Sequence, residues 1–327
     1  MSERPTRAIL FVLATALLIA GVVSATVVEP SPTRVAPGSR GPITAVASTG
    51  TVSVYQGLGA WIDAYDYGPA YHRPWEGRLL VPEDVDLLAD RGVRTLFLQA
   101  TRLDPRSPQG IVDPTLVGRF LQRSHERGLR VVGWYLPKFA DLEADLANLR
   151  STRDFEFEGH RFDGLGVDIE WRRDVADHGE RTRRLVELSR RFRQETGGNA
   201  LAAIVYPPVL LEAVFPGHWP GFPWAELAGI YDAWLPMTYW SETTLGSGYR
   251  EGYRYTGDSV RALRARLGIP SAPVHPIGGV ADVSSVADYQ GFIRAAQETG
   301  AIGWSVYDLR TTSPAGWDVL QRASVGG

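Results

Sequence analysis

Eight repeats of one pattern occupy most of this sequence: a short apolar run, a polar turn and a segment with helical periodicity. Eight such strand–helix units in about 270 residues match a (β/α)8 barrel in number and in length. A doubly wound sheet would need a glycine-rich phosphate loop after its first strand, which the segment GLGAWIDAYDY does not provide. The sequence therefore predicts an α/β fold made of a single (β/α)8 TIM barrel. The predicted strands are residues 58–63, 93–101, 129–137, 162–171, 200–207, 233–240, 273–280 and 301–309.

The predicted helices between these strands carry recognisable start and stop signals. Asp113 followed by Pro114 opens one helix, and Gly92, Gly128 and Gly300 each follow the last periodic residue of a helix. Such signals define short loops between the strands and the helices, as a barrel requires. The predicted helices begin near residues 82, 113, 141, 180, 223, 257, 285 and 314.

Composition excludes several classes of function. The 327 residues include no cysteine, six histidines without close spacing, and a net charge of −3. The lack of cysteine excludes a disulfide scaffold, a thiolate metal site and a cysteine nucleophile. The net charge gives no overall attraction to nucleic acid. We therefore expect a monomer without a metal ion or other cofactor and without a nucleic-acid partner.

The N-terminal segment has the pattern of an export signal. Two arginines precede an apolar run from Ala8 to Val23, and small residues follow at Ser24 and Ala25. Residues 1–28 are therefore either a cleaved signal peptide or an uncleaved single-pass membrane anchor, since about 20 apolar residues span a bilayer. Residues 29–52 form a Pro/Ser/Gly-rich linker, and residues 53–327 form the barrel. We expect a protein that is secreted or anchored to the outer face of the cytoplasmic membrane.

The fourth predicted strand carries the clearest chemical signal, in the segment FDGLGVDIEW at residues 162–171. Because side chains alternate along a strand, its leucine, valine and isoleucine form one face, and Asp168 and Glu170 share the other. Barrel strands are usually apolar on both faces, so two inward carboxylates are costly unless they are functional or paired. Glu170 at the mouth, above Asp168, suits a proton donor with a raised pKa. The alternative is that Arg172 and Arg173 pair with both acids.

This segment resembles the D-x-x-D-x-D-x-E motif of the chitinase-type glycoside hydrolases of family 18, and more broadly the glycoside hydrolases with TIM barrels. Asp163, Asp168 and Glu170 match three of the four acidic positions, and Gly166 replaces the fourth. The resemblance implies that Glu170 protonates the leaving oxygen while the N-acetyl group of the substrate acts as nucleophile. It also implies that Asp168 orients and stabilises that acetamido group.

Two further elements of the resemblance lie on later strands. Met237 and Tyr239 match the M-x-Y-D motif of the sixth strand, although Trp240 replaces its aspartate. Tyr239 would then hydrogen-bond near the acetamido carbonyl, and Trp304 on the eighth strand would form the floor of the sugar site. The missing acidic positions at Gly166 and Trp240 put the rate and the substrate in question.

Two alternatives remain open at this stage. In an ordinary two-carboxylate mechanism a second acid faces Glu170, and Asp63, Asp66, Glu242 and Asp308 are candidates. An acid on the first strand would make the site similar to the lysozyme-like hydrolases of family 25. A catalytically silent barrel that binds glycans is the alternative from another functional class.

Aromatic residues recur near the ends of the predicted strands. Sugar rings stack on flat aromatic surfaces, so a set of them at one end of a barrel favours a polysaccharide or oligosaccharide substrate. The predicted substrate-binding residues are Asp163, Trp61, Asp63, Trp134, Tyr135, Lys138, Tyr206, Met237, Trp240, Glu242 and Trp304.

The only lysine of the sequence, Lys138, follows the third strand near this end of the barrel. It has three interpretations: a Schiff-base lysine, a cation that contacts the substrate or Glu170, or an ordinary surface residue. His275 on the seventh strand is either a ligand for a sugar hydroxyl or a core histidine.

Overall fold

The computed structural model describes residues 52–73, 77–107 and 110–325. The predicted signal or anchor at residues 1–28, and all but the last residue of the predicted linker, lie outside these ranges. Within them, no helix is both long enough and apolar enough to cross a membrane.

Eight parallel strands close into a barrel, which confirms the predicted fold. They hydrogen-bond in the ring order β1-β8-β7-β6-β5-β4-β3-β2, so each strand lies beside its neighbours in sequence. The seventh strand is short, and it pairs with both neighbours through the same two residues. The strands are β1 Gly57–Ile62, β2 Thr95–Gln99, β3 Arg130–Tyr135, β4 Gly164–Ile169, β5 Ala200–Val205, β6 Ala233–Thr238, β7 Ile277–Gly278 and β8 Gly303–Val306.

Helices alternate with these strands along the described chain. Asp113, Asp141 and Ser285 cap the helices that follow them, each accepting a hydrogen bond from a backbone N–H of the first turn. A short hairpin, Glu156–Phe157 with His160–Arg161, precedes β4. The helices are α1 Ala64–Tyr67, α2 Val85–Asp90, α3 Pro114–Glu126, α4 Leu142–Asp154, α5 His178–Thr196, α6 Trp224–Leu227, α7 Gly252–Leu267, α8 Val286–Glu298 and α9 Pro314–Val325.

The interior of the barrel is filled unevenly by large and small side chains. Strands β1 to β3 contribute Trp61, Phe97 and Trp134, and the first two rings stack with their centres 4.4 Å apart. Strands β5 and β6, on the other side of the ring, contribute the small Ala202 and Ala233 to the same cluster, together with Ile204, Leu235 and Met237. The aromatic rings of β1 to β3 thus pack in one cluster with aliphatic side chains of mixed size from β5 and β6.

The N-terminal end of the barrel is closed by the short helical turn Val52–Tyr55. Tyr55 is fully buried, and its hydroxyl donates a hydrogen bond to the carbonyl of Leu165 on β4 at 2.8 Å. The ring of His275 lies beside this turn, with Nδ1 at 2.7 Å from the Tyr55 carbonyl oxygen. His275 is thus a hydrogen-bonded core histidine. It lies at the N-terminal end of the barrel, opposite the C-terminal face where the active sites of TIM barrels are found.

Candidate active site

Asp168 and Glu170 lie at the C-terminal end of β4. Leu165, Val167 and Ile169 belong to the outer apolar layer between strands and helices, so the intervening positions face the interior. Asp168 pairs with Ile204 of β5 and is 7% exposed. Glu170 directly follows the strand and is half-buried. The alternation predicted from the sequence therefore holds along the whole of this strand.

Burial dominates the electrostatics of this carboxyl pair. It raises the pKa of Glu170 to about 7, although a hydrogen bond from Tyr206 and the charge of Arg172 act in the opposite direction. Burial also raises the pKa of Asp168, and the charge of Glu170 raises it further. Asp168 Oδ1 is buried without a hydrogen-bond partner among the described residues, which disfavours the ionised form. The pair therefore retains a proton near neutral pH and titrates as one unit.

Tyr206 and Arg172 complete the surroundings of Glu170. Tyr206 follows β5, and its ring packs edge-on against His218 with the ring centres 4.6 Å apart. Burial and the nearby charges of Arg172 and Arg181 lower the pKa of His218 to about 4, so this histidine is neutral at pH 7. From the sequence, Arg172 is predicted only as an ion-pair partner and His218 is not identified, because no local pattern places a residue of the loop after β5 against Tyr206.

Tyr239 lies between the carboxyl pair and the far side of the mouth. Burial raises its pKa, and Glu170, Asp168 and Asp308 raise it further through their charges. Its ring centre is 6.1 Å from that of Tyr307, which follows β8. Met237 is buried in the interior beneath Tyr239. The structure thus brings Asp168, Glu170, Tyr206 and Tyr239 into one group.

Three carboxylates from β1 and β8 form a second cluster at the mouth. Single oxygens of Asp63, Asp66 and Asp308 lie within 4.8 Å of one another. The Tyr307 hydroxyl and the Tyr65 backbone N–H donate to Asp63. These carboxyls are close enough for a metal ion, but protein groups already contact at least one oxygen of each.

Arg310 and Thr311 satisfy the other two members of this acidic cluster. Arg310 Nε lies 2.9 Å from Asp66 Oδ1, and the Thr311 backbone N–H donates to Asp308 Oδ1 at 2.9 Å. Burial, followed by the charge of Asp63, raises the pKa of Asp308 to about 6. Of the four candidate second acids, only Glu242 is exposed.

The prediction that Asp163 binds substrate beside Glu170 is wrong. Asp163 precedes β4 at the N-terminal end of the barrel, and six strand residues at about 3.3 Å each separate it from Glu170. Its carboxylate accepts the backbone N–H of Val131 at 2.7 Å and contacts His125 Nε2 at 3.0 Å. The residue fastens β4 to β3 at the opposite face of the barrel.

Three predicted aromatic contacts are also wrong, because their side chains point away from the interior. Tyr135 is fully buried, and its hydroxyl donates to Asp145 on α4 at 2.6 Å. Trp240 packs against Phe292 of α8, with the ring centres 5.5 Å apart. Trp304 lies on the outer face of β8, and the aromatic residue that this segment contributes to the interior is Tyr307.

Trp61 and Trp134 lie inside the barrel beneath the carboxyl pair. Both are almost fully buried, and the indole N–H of Trp61 donates to Ser305 Oγ at 2.8 Å. Trp134 pairs with Gly166, one layer below Asp168. These two residues therefore support the floor of the mouth.

Lys138 lies at the C-terminal face, as its position after β3 predicts. Its Nζ is 5.7 Å from the centre of the Trp171 ring, and the guanidinium of Arg173 is 5.8 Å from the same ring. Trp171 directly follows Glu170, so both cations lie near the C-terminal end of β4.

The chain matches no protein-family model and no curated protein sequence. Its fold is that of known TIM barrels. The spore cortex-lytic enzyme SleL from Bacillus megaterium has 10% sequence identity and a TM-score of 0.55, over 82% of this chain and 74% of that one. A chitinase from Chromobacterium violaceum has 13% identity and a TM-score of 0.54, over 82% and 98%. A family 1 β-glucosidase from Thermotoga maritima has 10% identity and a TM-score of 0.58, over 84% and 98%. At these identities the likeness shows the fold.

Proposed function

We propose that this protein is a glycoside hydrolase that cleaves a glycosidic bond in a cell-wall or extracellular polysaccharide. The observation that carries the proposal is Glu170, a carboxyl with a pKa of about 7 at the C-terminal mouth of the barrel, directly above Asp168. Catalytic residues of TIM barrels occupy this face, and a general acid works best with a pKa near the working pH. The similar folds of SleL, the chitinases and the β-glucosidase support the same class of reaction.

In the proposed reaction Glu170 gives its proton to the glycosidic oxygen as the bond to the anomeric carbon breaks. The acetamido oxygen of the substrate forms the new bond to that carbon, and Asp168 orients the acetamido group by accepting a hydrogen bond from its N–H. The Glu170 carboxylate then accepts a proton from water, whose oxygen attacks the anomeric carbon and releases the acetamido group. Tyr239, whose pKa is raised by burial and by the charges of Glu170 and Asp168, would hold the acetamido carbonyl through its hydroxyl.

The acidic cluster favours this substrate-assisted route over the two-carboxylate route. Asp63 accepts hydrogen bonds through both of its oxygens, and Asp66 pairs with Arg310. An acid that is engaged in this way is poorly suited to attack an anomeric carbon or to activate water. Asp308, with a pKa of about 6, is the best candidate if a second carboxylate takes part.

The decisive experiment compares the purified wild-type chain with Glu170→Gln on chitooligosaccharides, peptidoglycan and common plant and bacterial glycans. We expect reducing sugar from at least one substrate and a loss of about 100-fold or more in the variant. Equal background release from every substrate would contradict the enzyme proposal and favour a glycan-binding barrel. Activity that survives Asp168→Asn but not Asp308→Asn would replace the substrate-assisted route with the two-carboxylate route.

Export is part of the same proposal and rests on the sequence of residues 1–28 alone. The full chain, expressed in a bacterial host, is expected in the medium or in the membrane fraction with its barrel accessible to added protease. Deletion of residues 1–28 should retain it in the cytoplasm. Cytoplasmic recovery of the full chain would contradict the prediction.

A further inference from the structure

Lys138, Arg172 and Arg173 make no ion pair with a carboxylate anywhere in the described part of the chain. Arginines of the outer helices behave differently: Arg123, Arg150 and Arg193, for example, each contact a carboxylate within 2.9 Å. The acids nearest in sequence, Asp174 and Asp177, do not pair with Arg172 or Arg173, and Asp177 instead caps α5. The sequence therefore supplies carboxylate partners to many of its outer arginines but none to these three cations.

All three cations lie on the segments that follow β3 and β4 at the C-terminal end of the barrel. Arg172 is two residues beyond Glu170, and its charge acts on Glu170, Tyr206 and His218. Lys138 comes from the end of the adjacent strand, β3. The C-terminal ends of β3 and β4 therefore carry three positive charges, of which Arg172 acts directly on Glu170.

Trp171 holds two of these cations in place. Lys138 Nζ and the Arg173 guanidinium both lie within 6 Å of its ring centre, where a cation is attracted to the aromatic face. This contact orients the charges without neutralising them, as a carboxylate would. Arg172 adds a planar guanidinium, which can bind a carboxylate through two parallel hydrogen bonds.

The side of the mouth formed by β1 and β8 carries acidic residues instead of cations. Asp63, Asp66 and Asp308 follow β1 and β8, two to four strands around the ring from β3 and β4. The single charge of Arg310 acts on Asp66 and Asp308. An anionic sugar in the mouth would therefore be repelled from the β1–β8 side and attracted towards β3 and β4.

We propose that Lys138, Arg172 and Arg173 form a subsite for the carboxylate of an acidic sugar, so that the substrate is an N-acetylated glycan that also carries carboxylates. This inference rests on the proposed glycosidase function and specifies its substrate class. Two kinds of glycan share the chemistry: those with a lactyl ether on an amino sugar and those with a uronic acid. Both place a carboxylate next to an N-acetylated ring.

A binding experiment tests the subsite independently of catalysis. The full chain carrying Glu170→Gln is titrated calorimetrically with a hyaluronan tetrasaccharide, with a peptide-free peptidoglycan tetrasaccharide, and with each of these after reduction of its carboxylates to alcohols. We expect at least one acidic form to bind about tenfold more tightly than its reduced form at low salt. The difference should shrink in about 0.5 M NaCl, because salt screens exposed charges. The probe with the larger difference identifies the source of the carboxylate.

Variants assign the effect to the cations. Adding Lys138→Gln and Arg173→Gln to the Glu170→Gln chain should remove most of the preference for the acidic form. Arg119→Gln, which changes an exposed arginine of α3 without an ion pair among the described residues, should leave it unchanged. Arg172 is left intact here because its charge also acts on the pKa of Glu170.

Equal affinity for the acidic and reduced forms, or a preference that survives the double substitution, would overturn the subsite. Neither result bears on hydrolysis, which the comparison of wild type with Glu170→Gln tests separately. Conversely, a preference for the acidic forms without any hydrolysis would support the subsite but contradict the enzyme proposal, and the protein would then be a glycan-binding barrel.

Discussion

The Tyr206 hydroxyl donates a hydrogen bond to the Glu170 carboxylate across the gap between the ends of β5 and β4. A bond of this kind favours the ionised form of the acid and partly offsets the effect of burial, which raises its pKa. The position of Tyr206 therefore determines at what pH Glu170 can still donate a proton.

The pH dependence of hydrolysis tests this relationship. With a pKa of about 7 for Glu170, kcat/KM should fall about tenfold per pH unit above neutrality, as the acid loses its proton. Tyr206→Phe removes a bond that lowers this pKa, so the falling limb should move to higher pH. Tyr231→Phe is the matched control, because its buried hydroxyl bonds to Ser189 instead. An unmoved limb in Tyr206→Phe would show that another group controls the profile.

Gly166 is predicted to tolerate no larger side chain. A Cβ at this position would lie 3.0 Å from Trp134 Cβ and 3.1 Å from Ile204 Cδ1. Gly166→Ala should therefore lower the free energy of unfolding by about 1–3 kcal/mol, and Gly166→Asp by more, since it buries a charge without a partner. Chemical denaturation measures both. Gly198→Ala, where nothing lies within 4 Å of the added Cβ, should change stability by about 0.5 kcal/mol or less. A Gly166→Asp variant as stable as wild type would contradict this packing.

Asp308 is predicted to destabilise the fold at neutral pH. Its pKa is about 6 in the folded chain, against an ordinary value of 3.8. Between these two pH values the folded chain keeps a proton that the unfolded chain has released. Stability should therefore fall as the pH rises from about 4 to about 6. Asp308→Asn removes this cost and should add about 2 kcal/mol at pH 7, or several degrees in Tm, but nothing below pH 4.

Thermal unfolding of Asp308→Asn at pH 3.5 and pH 7 checks this expectation. Asp318→Asn, which changes an exposed carboxylate on α9, controls for the loss of one negative charge. A gain of equal size at both pH values would mean that the stabilisation is unrelated to the titration of Asp308.

His275 is predicted to make the fold sensitive to acid. Burial lowers its pKa to about 4, although the hydrogen bond with the Tyr55 carbonyl opposes the change. The unfolded chain takes up a proton below pH 6.5, whereas the folded chain does not until about pH 4, so stability is lost as the pH falls through this window. His275→Asn keeps a donor for Tyr55 and should flatten the dependence, even if it lowers stability at pH 7.

Denaturant unfolding at pH 7 and pH 4.5 measures the effect of His275→Asn. The free energy of unfolding should fall between these pH values by about 2 kcal/mol less in the variant than in wild type. His72→Asn, at a half-buried position outside the barrel interior, should retain the wild-type slope. The interpretation fails if the slopes of wild type and His275→Asn coincide.

The fold could be read from the sequence because its signals are local. Apolar runs and helical segments alternate eight times, and the period of two in residues 164–170 was enough to place Asp168 and Glu170 inside the barrel. The strand ends were harder to predict. Asp163 shares a motif with Glu170, yet a strand of six residues carries the two to opposite faces of the barrel.

The remaining errors have long-range causes. Trp304 on β8 and Tyr307 just beyond it lie an odd number of residues apart, so their side chains face opposite sides. Which of the two faces inward is fixed by the pairing of β8 with β1 and not by the segment itself. The acidic cluster depends on contacts between residues 244 apart, such as that of Tyr307 with Asp63. A single sequence contains no local pattern that reports such pairs.

The unequal filling of the barrel has a consequence for how this protein can change during evolution. Trp61 and Phe97 share one interior cluster with Ala202 and Ala233 from the other side of the ring. A smaller residue at Trp61 opens a void, and a larger one at Ala202 overfills the same cluster, so each substitution alone is harmful. Substitutions in this layer are therefore expected to be epistatic. A change on one side of the barrel is tolerated only together with a compensating change on the other side, so the residues beneath the mouth evolve in pairs.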